Sequence, residues 1–152
     1  MIYRLIRTAL VLAAAFGVLV LSSPLTNAQG APEKPWKKMK KAERKEYMKK
    51  NVLPKMTSMF AEVNPTKYDD MKCITCHGAG AKNGSFKMPN PKLPKLPGDE
   101  EGWTKLKAKS PEMLEFMRKK VVPTMAAFLG EQPRGPGNPK GFGCDDCHTH
   151  AK

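Results

Sequence analysis

The sequence is poor in the residues that usually build a stable core. Aromatic residues make up 7% of its 152 residues, whereas it contains 14 prolines and 27 lysines and arginines. It also offers no credible β-strand run, so we expect an all-α chain. A domain this small, with so little apolar mass, usually needs a covalent or metal staple. We therefore expect the polypeptide to be largely unfolded until such a group is bound.

Cysteine and histidine are scarce too, and their positions indicate what the staple is. The chain has four cysteines and three histidines. Every cysteine and two histidines fall in two motifs, CITCH at 73–77 and CDDCH at 144–148, and C-x-x-C-H is the attachment pattern of c-type haem. We expect two covalent haems. The attachment residues would be Cys73, Cys76, Cys144 and Cys147, and the proximal iron ligands would be His77 and His148.

Three other kinds of site use paired cysteines. A structural zinc site could use both C-x-x-C pairs, but it does not require a histidine directly after each pair. A disulfide framework leaves both histidines without a role. A thioredoxin-like redox pair requires a βαβ context, which this sequence does not offer. The haem interpretation accounts for all six residues.

Residues 1–28 have the order of regions found in a secretory signal peptide. Arg4 and Arg7 lie in a basic start, residues 8–21 are apolar and uncharged, and the segment ends in Thr-Asn-Ala. The apolar run is shorter than the about 20 residues that a membrane-spanning helix needs. We expect cleavage after Ala28 and a periplasmic protein. Retention of this segment as an uncleaved anchor is the alternative.

Acidic residues are in the minority. Without Arg4 and Arg7, 25 basic residues face 14 acidic ones, so the predicted mature chain has a net charge of +11 before haem propionates offset part of it. Such a surface favours a redox partner with an acidic docking face, or an anionic membrane surface. The alternative is a solvated basic face that only maintains solubility. We do not expect nucleic acid as a partner.

The sequence repeats itself at an offset of 69 residues. Each copy continues through an Asn-Pro pair to its C-x-x-C-H motif. We therefore expect a signal peptide (1–28), a basic segment (29–41), a first haem module (42–78), a Pro-rich linker (79–109) and a second haem module (110–152). The identical pairs are Glu43 and Glu112, Glu46 and Glu115, Met48 and Met117, Lys50 and Lys119, Val52 and Val121, Pro54 and Pro123, and Met56 and Met125.

Each copy begins with a predicted amphipathic helix, because apolar residues recur one turn apart. The first helix should start near Lys40 or Ala42, and the second should run from a Ser110 cap to Gly130. A proline inside each helix should bend it and aim the methionine that follows, or else end the helix. The predicted stripes are Met48, Val52, Met56 and Met59 or Phe60 in the first copy, and Met113, Met117, Val121, Met125 and Phe128 in the second.

The remaining segments should be shorter or extended. In the first copy, Asn64 should cap a helix that runs from Pro65 through His77 and ends at Gly78. In the second copy, the Gly- and Pro-rich residues 135–143 leave room for about one helical turn. Residues 79–102 should be extended, as a semi-rigid strap that lies over a haem or sets the spacing of the modules, or as a plain surface linker. Trp103 would pack on a haem edge or in the ordinary core.

Methionine is the expected distal iron ligand. Three histidines cannot supply two bis-histidine haems, and only His150 is to spare. The repeat favours Met56 and Met125, since each follows a proline and precedes its C-x-x-C-H motif by a similar distance. The alternatives are the matched pair Met48 and Met117, and Met88, which has no counterpart in the second copy. The same stripes would also serve as core packing, which methionine does well.

The order of helix, methionine, turn and C-x-x-C-H helix resembles the haem-binding segments of the tetrahaem cytochrome subunit of photosynthetic reaction centres. The resemblance covers about residues 42–78 and 111–150, and it is one of arrangement more than of identity. It implies a distal role for Met56 and Met125. The chain departs from that family in having only two motifs, longer gaps between methionine and cysteine, and a Pro-rich linker. A photosynthetic partner therefore does not follow.

Together these features predict a dihaem electron carrier and not an enzyme. Iron with both axial positions filled has no place for a substrate. The alternatives are a small dihaem enzyme of the peroxidase kind, or a haem-based sensor, and either would need one open coordination position.

Overall fold

The computed structural model describes residues 32–151, so the predicted signal peptide lies outside the described residues. Within them the chain is helical, and β-type pairing is limited to three isolated bridges. The all-α prediction is confirmed. Short 3-10 turns cover Trp36–Lys38 and Cys144–Asp146, and π-helical turns cover Met48–Val52 and Met117–Val121. The α-helices are α1 (Lys41–Tyr47), α2 (Leu53–Val63), α3 (Pro65–Tyr68), α4 (Cys73–His77), α5 (Ala79–Lys82), α6 (Glu100–Lys109), α7 (Pro111–Phe116) and α8 (Val122–Leu129).

Two long helices each continue through a proline by way of a π-helical turn. In the first, α1 and α2 are joined by Met48–Val52, and the Leu53 N–H donates to the Met48 carbonyl five residues back. In the second, α7 and α8 are joined by Met117–Val121 in the same manner. Proline offers no N–H for the α-helical bond, and the wider turn before it re-pairs the neighbouring backbone groups. The alternative that these prolines end their helices is wrong.

The predicted helix ends are largely confirmed. The first long helix begins at Lys41, and the Lys40 N–H donates to the Glu43 carboxylate. The second begins with Pro111 after Ser110, although the Ser110 side chain forms no capping hydrogen bond. That helix ends at Gly130, whose φ of 67° is in the left-handed region that favours glycine.

The predicted continuous helix from Pro65 to His77 is wrong. Asn64 does cap α3, because its Oδ1 accepts a hydrogen bond from the Lys67 N–H at 3.0 Å. The helix then ends at Tyr68, and α4 covers only the CITCH motif. Between the two, the side chain of Met71 is buried in the core. Lys72 is extended, with φ −127° and ψ 166°, and Thr75 Oγ accepts its N–H, so a new helical turn starts at Cys73 and α3 does not continue.

The linker region is less extended than predicted. Residues 79–109 contain α5 and α6, and α6 is capped by Asp99, whose carboxylate accepts the Gly102 N–H at 2.8 Å. Two acidic residues follow at the positive end of α6, which stabilises that end further. Extended chain is confined to the residues between these two helices.

The two long helices share one hydrophobic core. Phe60 of α2 packs edge-on against Phe116 of α7, with ring centroids 5.1 Å apart, and against Tyr68 of α3 at the same distance. All residues of both predicted stripes belong to this core, so that prediction is confirmed. Its buried members are Val52, Met56, Met59, Phe60, Met71, Phe116 and Phe128, with Met48, Cys76, Met113, Met117, Val121 and Met125 among the half-buried residues packed against them.

Among the described helices, none has both the length and the apolar character that crossing a bilayer requires.

Candidate functional site

The CITCH motif is a single helical turn held at both ends. At its start, Thr75 Oγ accepts the Lys72 N–H at 3.0 Å. At its end, Gly78 has a φ of 54°, which lets the chain turn away directly after His77. Cys73 and Cys76 are half-buried free thiols, and burial raises the pKa of Cys76. The turn therefore presents two thiols and an imidazole from adjacent positions.

The His77 imidazole is packed in a way that keeps it neutral. Its ring lies edge-on to Phe86 with centroids 5.4 Å apart, and burial lowers its pKa. Its Nδ1 is buried and has no hydrogen-bond partner. A neutral imidazole is the form that binds a metal ion.

The CDDCH motif is held by its own two acids. Asp146 accepts the Gly143 N–H at 2.7 Å, and Asp145 pairs with the Arg134 guanidinium at 2.6 Å. Arg134 Nε also donates to the Gly141 carbonyl at 3.1 Å, so the guanidinium ties the loop before the motif to the motif itself. Burial raises the pKa of Cys147 to about 12, and the neighbouring Cys76 contributes to that rise. The two motifs therefore lie close together.

The second motif is covered by residues 90–97, which we call the strap; this segment turns at residues 90–93 and then continues without helical structure. The Leu96 N–H donates to the Thr149 carbonyl and the Ala151 N–H donates to the Leu96 carbonyl, both at 2.8 Å. Where the sequence left open a plain surface linker, the structure therefore shows a strap bonded to the residues after CDDCH. Whether the strap also covers a haem stays a prediction.

The strap also orients the histidine of the second motif. The Pro94 carbonyl lies 2.7 Å from His148 Nδ1. A carbonyl oxygen can only accept, so Nδ1 carries the proton and Nε2 keeps its lone pair for a metal. This backbone partner is the usual support for a histidine that binds a metal. The spare histidine, His150, is held in the same way by the Pro97 carbonyl at 3.2 Å.

The predicted distal methionines lie in the core beside the first motif. Met56 is buried, Met125 is half-buried, and Cys76 packs against the same cluster. The alternative pair, Met48 and Met117, is half-buried in this core as well. The cluster does not include Met88. The cluster thus contains both repeat-matched pairs together with Cys76, whereas Cys144, Cys147 and His148 of the second motif are not members of it.

Cys144 faces an open cleft of about 390 Å³. Trp103 lines this cleft and is absent from the central core cluster, so its predicted ordinary core role is not observed. His150 also faces the cleft, together with Arg118 and the ion pair of Arg134 and Asp145. The lining residues are Leu96, Trp103, Arg118, Val122, Arg134, Gly143, Cys144, Asp145 and His150.

The residues present fit covalent haem. The four thiols are free, and His148 has a metal-binding nitrogen oriented by the strap. In the part of the chain that the structure describes, two buried side-chain polar atoms lack partners, His77 Nδ1 and Thr149 Oγ1. Both lie in or next to a C-x-x-C-H motif, and a bound group or a water molecule is among the explanations for an unpaired buried polar atom. Residues 32–151 contain no cluster of three or more histidine, cysteine or acidic residues placed to hold a metal ion.

Sequence reasoning missed the residues that hold the motifs in place. Arg134 and the strap carbonyls act through contacts that no local pattern predicts, and the buried Asn90 gave no signal beyond its place between two prolines. No family model matches this chain, and neither a curated protein nor a solved structure matches it. The function therefore has to be argued from the residues themselves.

Proposed function

We propose that this chain is a dihaem c-type cytochrome that carries single electrons between protein partners in the periplasm. The observation that carries the proposal is the presence of two C-x-x-C-H turns with free thiols, the first of which packs its Cys76 against a methionine-rich core. The repeat in the sequence and the resemblance to reaction-centre haem segments support the same assignment. Zinc and disulfide alternatives leave His77 and His148 without a role.

Each group of residues has a distinct part in holding the cofactor. Cys73 and Cys76 would attach one haem, and Cys144 and Cys147 the other. His77 and His148 would be the proximal ligands, with the His148 ring oriented by the strap. When bound, the haems supply one-electron chemistry, and the polypeptide sets ligand, burial and spacing.

Methionines from the two long helices would fill the distal positions. Met56 and Met125 are the first candidates, and both lie in the shared core. A thioether ligand favours the reduced iron and so raises the reduction potential. A filled distal position leaves no place for substrate, and this supports a carrier over an enzyme or a sensor.

A basic surface supports an acidic protein partner. Lysines of the two π-helical turns, Lys49, Lys50, Lys119 and Lys120, are exposed. Several surface lysines form only exposed ion pairs within one helix, such as Lys50 with Glu46 at 3.4 Å, which contribute little to stability. Positive charge of this kind accelerates encounters with a negatively charged docking face.

Haem content tests the proposal. The full chain would be produced in a bacterium that exports it and attaches haem c, and the purified protein would be assayed by pyridine haemochrome and intact mass. We expect two haems per chain. Changing Cys73 and Cys76 together to alanine should leave one haem, and so should changing Cys144 and Cys147 together. A wild-type protein that contains zinc or disulfides in place of covalent haem would contradict the proposal.

A further inference from the structure

Asn90 bonds to both C-x-x-C-H motifs at once. Its side-chain Nδ2 donates to the Cys76 carbonyl at 2.8 Å, and its backbone N–H donates to the Cys147 carbonyl at 3.0 Å. These two carbonyls belong to motifs 71 residues apart in sequence. A single small residue therefore spans the space between the two sites.

The remaining polar groups of Asn90 are also paired. Its Oδ1 accepts the Lys92 N–H at 3.0 Å, and its carbonyl accepts the Leu93 N–H at 3.1 Å. Asn90 is 5% exposed, and it is the one buried polar side chain in the described chain. A buried amide with every polar group paired fixes its neighbours, because losing one partner leaves another buried and unpaired.

Gly78 leaves room for this bridge. A Cβ at Gly78 would lie 2.9 Å from Asn90 Nδ2. The residue after the CITCH motif is therefore a glycine for two reasons, its φ of 54° and the close approach of the Asn90 amide. The strap then continues from Asn90 along the residues after CDDCH, so both sides of the bridge are secured.

We propose that Asn90 is a positioning residue that fixes the spacing of the two C-x-x-C-H motifs, so that the two haems form one coupled pair. The inference rests on the proposed function. Two irons held at one short spacing influence each other, because the electron on the first lowers the affinity of the second for another electron. The two reduction steps of such a pair belong to the pair as a whole.

Two Asn90 variants separate the bridge from the local turn. Asn90→Ala removes both side-chain bonds, whereas Asn90→Asp keeps an acceptor for the Lys92 N–H and places an acceptor-only carboxylate against the Cys76 carbonyl. The matched control is Asn83→Ala, since Asn83 lies in the same linker and bonds only locally, to the Ser85 N–H at 3.0 Å.

A second pair of variants approaches the bridge from the other side. Gly78→Ala and Gly84→Ala both place alanine at a positive φ, 54° and 71°, and at Gly78 the ψ of −135° adds strain because that combination favours glycine alone. Only at Gly78 does the new methyl group meet the Asn90 amide, since nothing lies within 4 Å of a Cβ at Gly84. A loss of coupling in Gly78→Ala therefore counts for the bridge when the two Asn90 variants, which carry no such strain, show the same loss.

The measurements are a redox titration, paramagnetic resonance of the oxidised holoprotein, and hydrogen exchange of the Asn90 and Leu96 amides. We expect the wild type to show magnetic interaction between its irons and two separated reduction steps. Asn90→Ala, Asn90→Asp and Gly78→Ala should weaken the interaction, bring the steps together and speed amide exchange, while Asn83→Ala and Gly84→Ala should not.

Several outcomes would overturn the inference. A wild type with two haems and no interaction between them would do so even if no variant could be matured. Asn90 variants that keep the wild-type coupling and exchange rates would do so as well. In both cases the proposed function still holds, because two haems are bound. A wild type without covalent haem would contradict the proposed function and this inference together.

Discussion

Replacing Phe60 with alanine should separate the two long helices more than any other single change in the core. The Phe60 side chain is 8% exposed and contacts the rings of Phe116 and Tyr68, each at 5.1 Å. Truncating a buried phenylalanine costs about 3–5 kcal/mol of unfolding free energy, because apolar area is lost and a cavity remains. For a domain of this length we expect the melting temperature to fall by roughly 10–25 °C.

The free energy of unfolding would be measured by guanidinium titration of the holoprotein, followed by far-ultraviolet circular dichroism. The control is Val63→Ala in the same helix, where the side chain is 43% exposed and the expected change is within about 0.5 kcal/mol. Phe60→Leu is a milder variant that keeps apolar volume and loses the ring contacts, with an expected cost of about 1–2 kcal/mol. A loss of less than about 1 kcal/mol for Phe60→Ala would show that the two helices do not share this core.

Three further predictions concern ligands, charge and pH. Met56→Ala and Met125→Ala should each alter the spin state of one haem and lower its reduction potential. Unchanged optical spectra in both variants would exclude this pair as distal ligands, and the alternative methionines would then be tested. Electron transfer to an acidic partner should slow as ionic strength rises above about 0.1 M, where charges more than about 10 Å apart are screened. A transfer rate that does not depend on salt would contradict the proposal of an acidic docking face. The pKa of Glu43 is lowered below 4.5, first by a hydrogen bond from the Lys34 side chain and second by one from the backbone N–H of Lys40. The ionised Glu43 carboxylate therefore stabilises the fold fully above pH 4.5, and this stabilisation is lost as the pH falls through the folded-state pKa. The stability gap between wild type and Glu43→Gln should therefore close in acid, and a gap that does not change with pH would contradict this.

The helical part of the fold could be predicted because its signals are local. The 3.6-residue period of the methionine stripes identified the residues of the core, and Gly78 and Gly130 marked helix ends by their freedom to adopt positive φ. The offset of 69 residues in the sequence also recurs in the structure, since the two π-helical turns begin at Met48 and Met117. How each long helix continues through its proline was harder to predict, because the π-helical turn that allows it has no sequence rule of its own.

The arrangement around the motifs could not be predicted, because it depends on contacts between distant segments. The Pro94 carbonyl lies 54 residues from His148 in sequence, and nothing in the local pattern links the two. In contrast, α6 could have been predicted from the sequence, because Asp99 followed by two glutamates is an ordinary helix start. Those residues were assigned to the linker instead.

The central claim is that two metal centres, each closed by a histidine and a methionine, allow this chain to move electrons and nothing else. A redox titration of the matured holoprotein, read by optical and paramagnetic-resonance spectroscopy, tests it most directly. The account predicts two one-electron transitions per chain, both from low-spin haem with a methionine–iron charge-transfer band in the ferric state. Protein without bound haem, or ferric spectra dominated by high-spin iron with a vacant sixth position at both centres, would contradict it.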